Sequence, residues 1–375
     1  MAHKFSAPID NLTLEFCDFS RKSICSPIVN ALRASVSLLC LASALANATF
    51  LIPLTRLRPF HFNVRALFAS LALSNALYGV TRLSADLRNV YQAPAWHALT
   101  VEEEAEECAF PILDSHCCLF LCPAAFGALL VIYGLVFVAF ERIHATLRYA
   151  TYEDRRSTLF IVVAVAVQWS AAGLTIYRRM QDINSQTALI ECTIMHSRLT
   201  SGDGTILIAN LVFGAALLGV FLAVVQWNKT LRKSAQVGAV EISTKFQLND
   251  NIKTGRLVVW LVVAHYVTTS TPQLAAVLLQ RPAIFALLPY PVTASILYEA
   301  SCLPITSFGL FFVYMCCKSS RTLDEQLGKW LPFLFGKKPM QEGERGLPTV
   351  AAIASQSDEY FKTLHAFWAR GRLAP

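Results

Sequence analysis

Seven apolar stretches, each long enough to cross a lipid bilayer as a helix, leave this chain few ways to fold. They run near 30–54, 63–84, 109–140, 158–177, 205–227, 257–279 and 285–316. A hydrocarbon core of roughly 30 Å takes about 20 helical residues to span. The composition agrees: 55% of the 375 residues are hydrophobic and only 15% are charged, a balance foreign to soluble domains. The runs are continuously apolar rather than alternating, which argues against barrel strands, and a helix satisfies its own backbone hydrogen bonds inside lipid. The expected fold class is an all-α membrane protein, a bundle of seven transmembrane helices. Pro111, Pro123, Pro272 and Pro304 are expected to kink spans three, six and seven.

Basic residues gather on the cytoplasmic side of short loops. With the N terminus outside, that side receives Arg56, Arg58 and Arg65, then Arg142, Arg148, Arg155 and Arg156, then Lys229, Arg232, Lys233, Lys245, Lys253 and Arg256. The opposite side holds scattered bases such as Arg88, Arg178, Arg179, Arg198 and Arg281. The orientation is therefore N terminus outside, C terminus inside. Residues 1–28 lack a continuous apolar core, so no cleavable signal peptide is expected. The chain divides into an extracellular segment 1–29, the bundle 30–317, an amphipathic juxtamembrane helix 318–338 and a flexible cytoplasmic tail 339–375. A net charge of +7 is then a topology signature and a match to anionic membrane lipid, not a nucleic-acid footprint.

This topology sorts the modifiable residues. Of three N-x-S/T sequons, Asn47 lies within a span and Asn228 on the cytoplasmic side, leaving Asn11 as the glycosylation candidate. Cys108 and Cys192 both fall on the oxidising side, where a disulfide between them would staple an outer loop over the bundle; Cys17 and Cys25 are also outside, and spacing alone does not fix the connectivity. Cys316 and Cys317 close span seven beside Lys318, a position suited to palmitoylation or to plain packing.

The third apolar run ends in "FERIHATLRYATYE", where Glu141 and Arg142 stand side by side at the cytoplasmic depth. Ionisable residues there are costly and usually functional. An arginine held by a carboxylate in one state and released toward a partner in another is the bistable element a switch requires; an ordinary helix-end anchor is the simpler reading. Towards the outer half of the bundle, polar residues that a ligand cavity would collect are Asp114 and His116 on span three, His265, Tyr266 and Gln273 on span six, and Tyr298 and Glu299 on span seven. Asp114 and His116 are expected about two helical turns below Cys108.

The same block resembles the third-span ending of the nematode serpentine chemoreceptors of the Sra superfamily (Sra, Srab, Srb and Sre), through Glu141, Arg142, Ala145, Thr146, Tyr152 and Glu153. "FHFNVRALFASLALSN", Phe60 to Asn75, is similar to that group's entry into span two, and "KFQLNDNIKT", Lys245 to Thr254, to its third inner loop. Srab is the subfamily it resembles most. The resemblance implies a G-protein-coupled receptor that answers an external small-molecule cue and acts on a heterotrimeric G protein, with Glu141 and Arg142 in place of the Asp-Arg-Tyr of rhodopsin-like receptors. It further implies a plasma-membrane or ciliary location, and leaves a receptor dimer open. Span seven departs from the larger class in lacking Asn-Pro-x-x-Tyr, with "LPITSFGLFF" in its place.

Rival classes fare less well. A retinal-binding opsin needs a span-seven lysine, and from Phe285 to Cys317 there is none. No metal-ligand set, no nucleophile with its base and no phosphate-cradling glycine loop is visible, so no enzyme activity, metal or cofactor is expected. A transporter would show an internal repeat. A seven-span ligand-gated channel of inverted topology is the sharpest alternative, and the basic-residue bias stands against it.

Overall fold

A computed structural model describes residues 6–8, 26–57, 60–98, 112–149, 152, 158–181, 187–189, 205–237, 242–279, 292–320 and 323. Among them are seven long helices: α1 (Pro27–Arg56), α2 (Phe62–Ala98), α3 (Asp114–Leu147), α4 (Thr158–Met180), α5 (Thr205–Val237), α6 (Ile242–Leu279) and α7 (Val292–Ser319). α1 starts where local chemistry dictates. The Ser26 hydroxyl accepts the Val29 N–H at 3.5 Å, and Pro27 follows in the first turn, where a missing N–H costs nothing.

The helices form one seven-membered bundle in which α1 to α4 pack in succession, α5 packs on α3 and α6, and α7 closes against α1 and α6. α2 and α3 take the centre. α4 and α5 lie at the periphery, presenting Leu159, Val162, Val163, Ile208, Val212 and Leu222 with half or more of each surface uncovered. Such apolar faces belong against lipid. Among the described residues, six helices are long and apolar enough to cross a membrane. α6 falls outside that set because His265, Tyr266, the Thr268–Thr271 hydroxyl run, Pro272 and Gln273 dilute it, yet it packs between α5 and α7 like its neighbours.

Close helix approaches rest on small residues. A Cβ added at Gly309 of α7 would run into Ser43 Oγ and sit 2.9 Å from Asn47 Nδ2 on α1, and one at Gly79 of α2 would sit 2.7 Å from the Cys40 carbonyl of α1. Asn47 uses the gap: its amide donates to Gly309 O at 3.1 Å and to Ser43 O at 2.8 Å. Gln168 of α4 does the same for the centre, donating to Leu130 O of α3 at 2.7 Å and accepting from Ser70 Oγ of α2 at 3.0 Å.

Three expectations are corrected here. Span three does not begin near residue 109: Ile112–Leu113 form a short strand, β2, that pairs antiparallel with β3 (Thr187–Leu189), which also pairs with β1 (Ser6–Pro8) in the order β1-β3-β2. No continuous helix therefore joins Cys108 to Asp114, and Pro111 precedes the helix instead of kinking it, whereas Pro123, Pro272 and Pro304 lie inside helices and Pro53 joins them in α1. Second, the inner-loop stretch Lys245 to Thr254 lies within helix, since α6 starts at Ile242 while α5 runs to Val237; a helix satisfies its backbone in water as in lipid, so the end of the apolar run need not end it. Third, Cys316 and Cys317, open by sequence to palmitoylation or to plain packing, have their side chains buried in the α7 packing. Asn11, Cys108 and Cys192 lie outside the described residues, as does nearly all of 318–375 beyond Ser320.

Candidate functional site

At the end of the bundle where basic residues gather, Arg142 is the centre of a buried polar network. Its Nε lies 2.5 Å from Glu141 Oε2 and its Nη2 donates to Glu141 Oε1 at 2.8 Å. Adjacent residues on a helix normally point apart, so this bidentate grip requires both side chains to curl toward a common wall. The wall is Tyr152, just beyond α3, whose phenol donates to Glu141 Oε1 and accepts from Arg142 Nη2 at 3.4 Å. Burial and the Glu141 carboxylate push the Tyr152 phenol well above its ordinary value, so it stays protonated and keeps donating. The His61 ring packs on Tyr152 at 4.1 Å between centroids, fixing the phenol from the α2 side.

The remaining guanidinium nitrogen reaches across the bundle: Nη1 donates to Asn251 Oδ1 of α6 at 3.1 Å, and Asn251 Nδ2 donates back to the Ala145 carbonyl at 3.5 Å. α5 is tied in through Asn228, which donates to Thr146 Oγ1 at 2.7 Å while Thr146 donates to the Arg142 carbonyl at 2.8 Å. Glu141, Tyr152 and Asn251 thus meet at one guanidinium, with His61 packed behind Tyr152.

A second ionic cluster lies toward the opposite end. Glu299 of α7 accepts from Arg33 Nε of α1 at 3.1 Å and pairs with Arg82 Nη2 of α2 at 3.0 Å. Arg82 also pairs with Asp86 one turn along α2, at 2.9 Å. All four side chains are buried, with two positive charges balancing two negative ones, the condition under which buried charges are tolerated.

The sequence-based ligand set does not converge as a whole. Glu299 is engaged by the two arginines. Tyr266 turns to the α5 side and donates to the Leu211 carbonyl at 2.9 Å, filling the notch at Gly214; the adjacent His265 points inward, as neighbours about 100° apart on a helix must. His265 packs edge-on against Phe308 of α7 at 4.8 Å, with neither ring nitrogen hydrogen-bonded. The Ser270 hydroxyl and the Gln273 side-chain carbonyl, farther along α6, are likewise buried without a partner. Asp114 and His116 stand in the first turn of α3 and Tyr298 in the second turn of α7, but their side chains lie outside those described. Arg33, Arg82 and Asp86 were absent from that set. Their only sequence signal is charge inside an apolar run.

Residues 21–329 match the serpentine type 7TM GPCR receptor class ab chemoreceptor family. The chain belongs to that family. A curated relative, serpentine receptor class alpha/beta-14 of Caenorhabditis elegans, is 23% identical over 353 residues, covering 90% of this chain and 86% of the relative. Among solved structures, squid rhodopsin superposes with a TM-score of 0.58 at 10% identity, over 82% of this chain and 87% of that one. The class ab chain is therefore a multi-pass membrane protein with the seven-helix receptor fold. All three stretches that carried the family resemblance contribute to the packing around Arg142.

Proposed function

We propose that this class ab chain is a chemosensory receptor of the plasma membrane, sensory cilia included, that binds a small external molecule and promotes nucleotide exchange on a cytoplasmic heterotrimeric G protein. The observation that carries the reading is the position of Arg142, held by Glu141 on its own helix and by Asn251 on α6. In this packing each guanidinium nitrogen has a partner, which fits a resting arrangement. Outward movement of α6 would remove Asn251, uncover Arg142 and open the inner face to the G protein; a ligand need only favour that packing over the resting one. The cue would contact the unpartnered polar groups of α6, His265, Ser270 and Gln273, with Asp114, His116 and Tyr298 as further contacts, since buried donors and acceptors without partners are costly and suit a polar ligand. A Cys108–Cys192 bridge and a glycan on Asn11 complete the reading outside.

The test is basal nucleotide exchange on a reconstituted heterotrimer without ligand. Asn251→Ala frees Arg142 and raises exchange above the native level, Glu141→Gln does the same from the other side, and Arg142→Ala abolishes it at comparable surface density. Native exchange from the Arg142 variant, or no rise from either releasing variant, overturns the assignment.

A further inference from the structure

On the side of α6 turned away from Arg142, a groove of about 800 Å³ runs between α6 and α7 and under the end of α5. Its walls divide sharply. Arg232, Lys253, Arg256 and Lys318 line it with no carboxylate among the lining residues, while Trp260, Leu257, Phe311 and Met315 form an apolar strip leading away from them. Lys253, Arg256 and Trp260 follow one another at i, i+3 and i+7, the exposed stripe of α6, whereas Asn251, Thr254 and Val258 form its buried stripe.

This groove therefore faces the surroundings of the bundle and not the inner face where a G protein would dock. Trp260 is 59% exposed, and the cations sit where α5, α6 and α7 leave their apolar runs. Tryptophan at that level, with cations beyond it, marks the boundary between acyl chains and headgroups. Arg232 is oriented there by donating to Asn249 Oδ1 at 3.1 Å.

We propose that the groove binds an anionic phospholipid of the cytoplasmic leaflet, with its headgroup phosphates on Arg232, Lys253, Arg256 and Lys318 and an acyl chain laid along Trp260, Leu257, Phe311 and Met315. Four cations with no acid among them exceed what a single phosphodiester neutralises, so the fitting headgroup is a polyanionic one carrying phosphomonoesters. The apolar strip continuous with the cations commits the site to a lipid over a soluble phosphate.

The full chain is purified into nanodiscs of phosphatidylcholine, and binding of a fluorescent phosphatidylinositol bisphosphate is titrated. Arg256→Gln with Lys318→Gln removes two groove charges. Arg148→Gln with Lys233→Gln removes two exposed charges outside the groove, so the two variants carry the same net charge. The groove variant weakens binding by about ten-fold or more, the control pair leaves it within about two-fold of native, and Trp260→Ala weakens the lipid. Equal losses from the two pairs would reduce the effect to general attraction and overturn the proposal. Native affinity in the groove variant, or competition by soluble inositol trisphosphate at concentrations matching the lipid, would do the same. All substituted residues are exposed, so an unchanged thermal midpoint in neutral lipid separates lost binding from lost fold.

Discussion

Glu299 sets the strongest stability test at the scale of single residues. Its carboxylate accepts from both Arg33 and Arg82 in a buried setting. Glu299→Gln would remove the carboxylate that two buried guanidiniums share, a loss of about 3–5 kcal/mol by analogy with other broken buried pairs. Pairing it with Arg33→Met restores one cation against one anion and should recover most of that loss; thermal unfolding of the purified chain reads both. A neutral Glu299→Gln would show that the cluster does not brace α1, α2 and α7. His265 predicts the opposite sign. Neither ring nitrogen has a partner, so His265→Leu removes two uncompensated polar atoms at a cost of little packing and should leave the unfolding midpoint unchanged or higher, while abolishing the response to the cue. A midpoint several degrees lower would mean that the imidazole has a structural partner. The sequence made the Glu141–Arg142 pair conspicuous because two opposite charges stood together at the end of an apolar run. Arg33 stayed hidden because it stands alone, and although Arg82 and Asp86 lie one helical turn apart, only the fold brings Arg33 and Arg82 together on Glu299.

Helices meet through residues whose importance is invisible in hydropathy. Gly309→Ala on α7 would force a methyl onto Ser43 and Asn47 of α1 and spoil the Asn47 bond to the Gly309 carbonyl, and overpacking of this kind costs about 1–3 kcal/mol. Gly219→Ala on α5 meets nothing within 4 Å and should stabilise the helix by up to about 1 kcal/mol. Comparing the thermal midpoints of the two variants isolates the close approach from any general effect of glycine replacement; equal midpoints would refute tight α1–α7 contact. Spans were legible because period and length of apolar runs are strong signals. Their ends were not, for two physical reasons. α5 and α6 continue past their apolar runs because polar side chains do not stop a helix in water. Ile112 and Leu113, apolar enough to pass for membrane, are claimed instead by strand pairing with Thr187–Leu189, a long-range contact that no local pattern encodes.

At the scale of the whole molecule, fold and orientation are separate questions. Superposition on a rhodopsin fixes how seven helices connect and pack, whereas the sidedness of the chain rests on its charge asymmetry. Arg56, Arg142, Lys229, Arg232, Lys253, Arg256 and Lys318 all lie at one end of the bundle, and retention of bases in the cytoplasm makes that end the inner one. Both the proposed Arg142 switch and the basic groove lie at that same end, so both depend on it, while the Arg33–Glu299 cluster then faces the outer half. One epitope before Ala2 and another after Pro375 decide the matter by antibody access before and after permeabilising cells. Access to the first epitope alone in intact cells is the expected result. Access to the second alone would turn Arg142 outward and give the cations of the groove an extracellular leaflet to meet. It would also revive the channel of inverted topology, since a receptor with Arg142 facing away from the cytoplasm would lack the proposed route to a G protein.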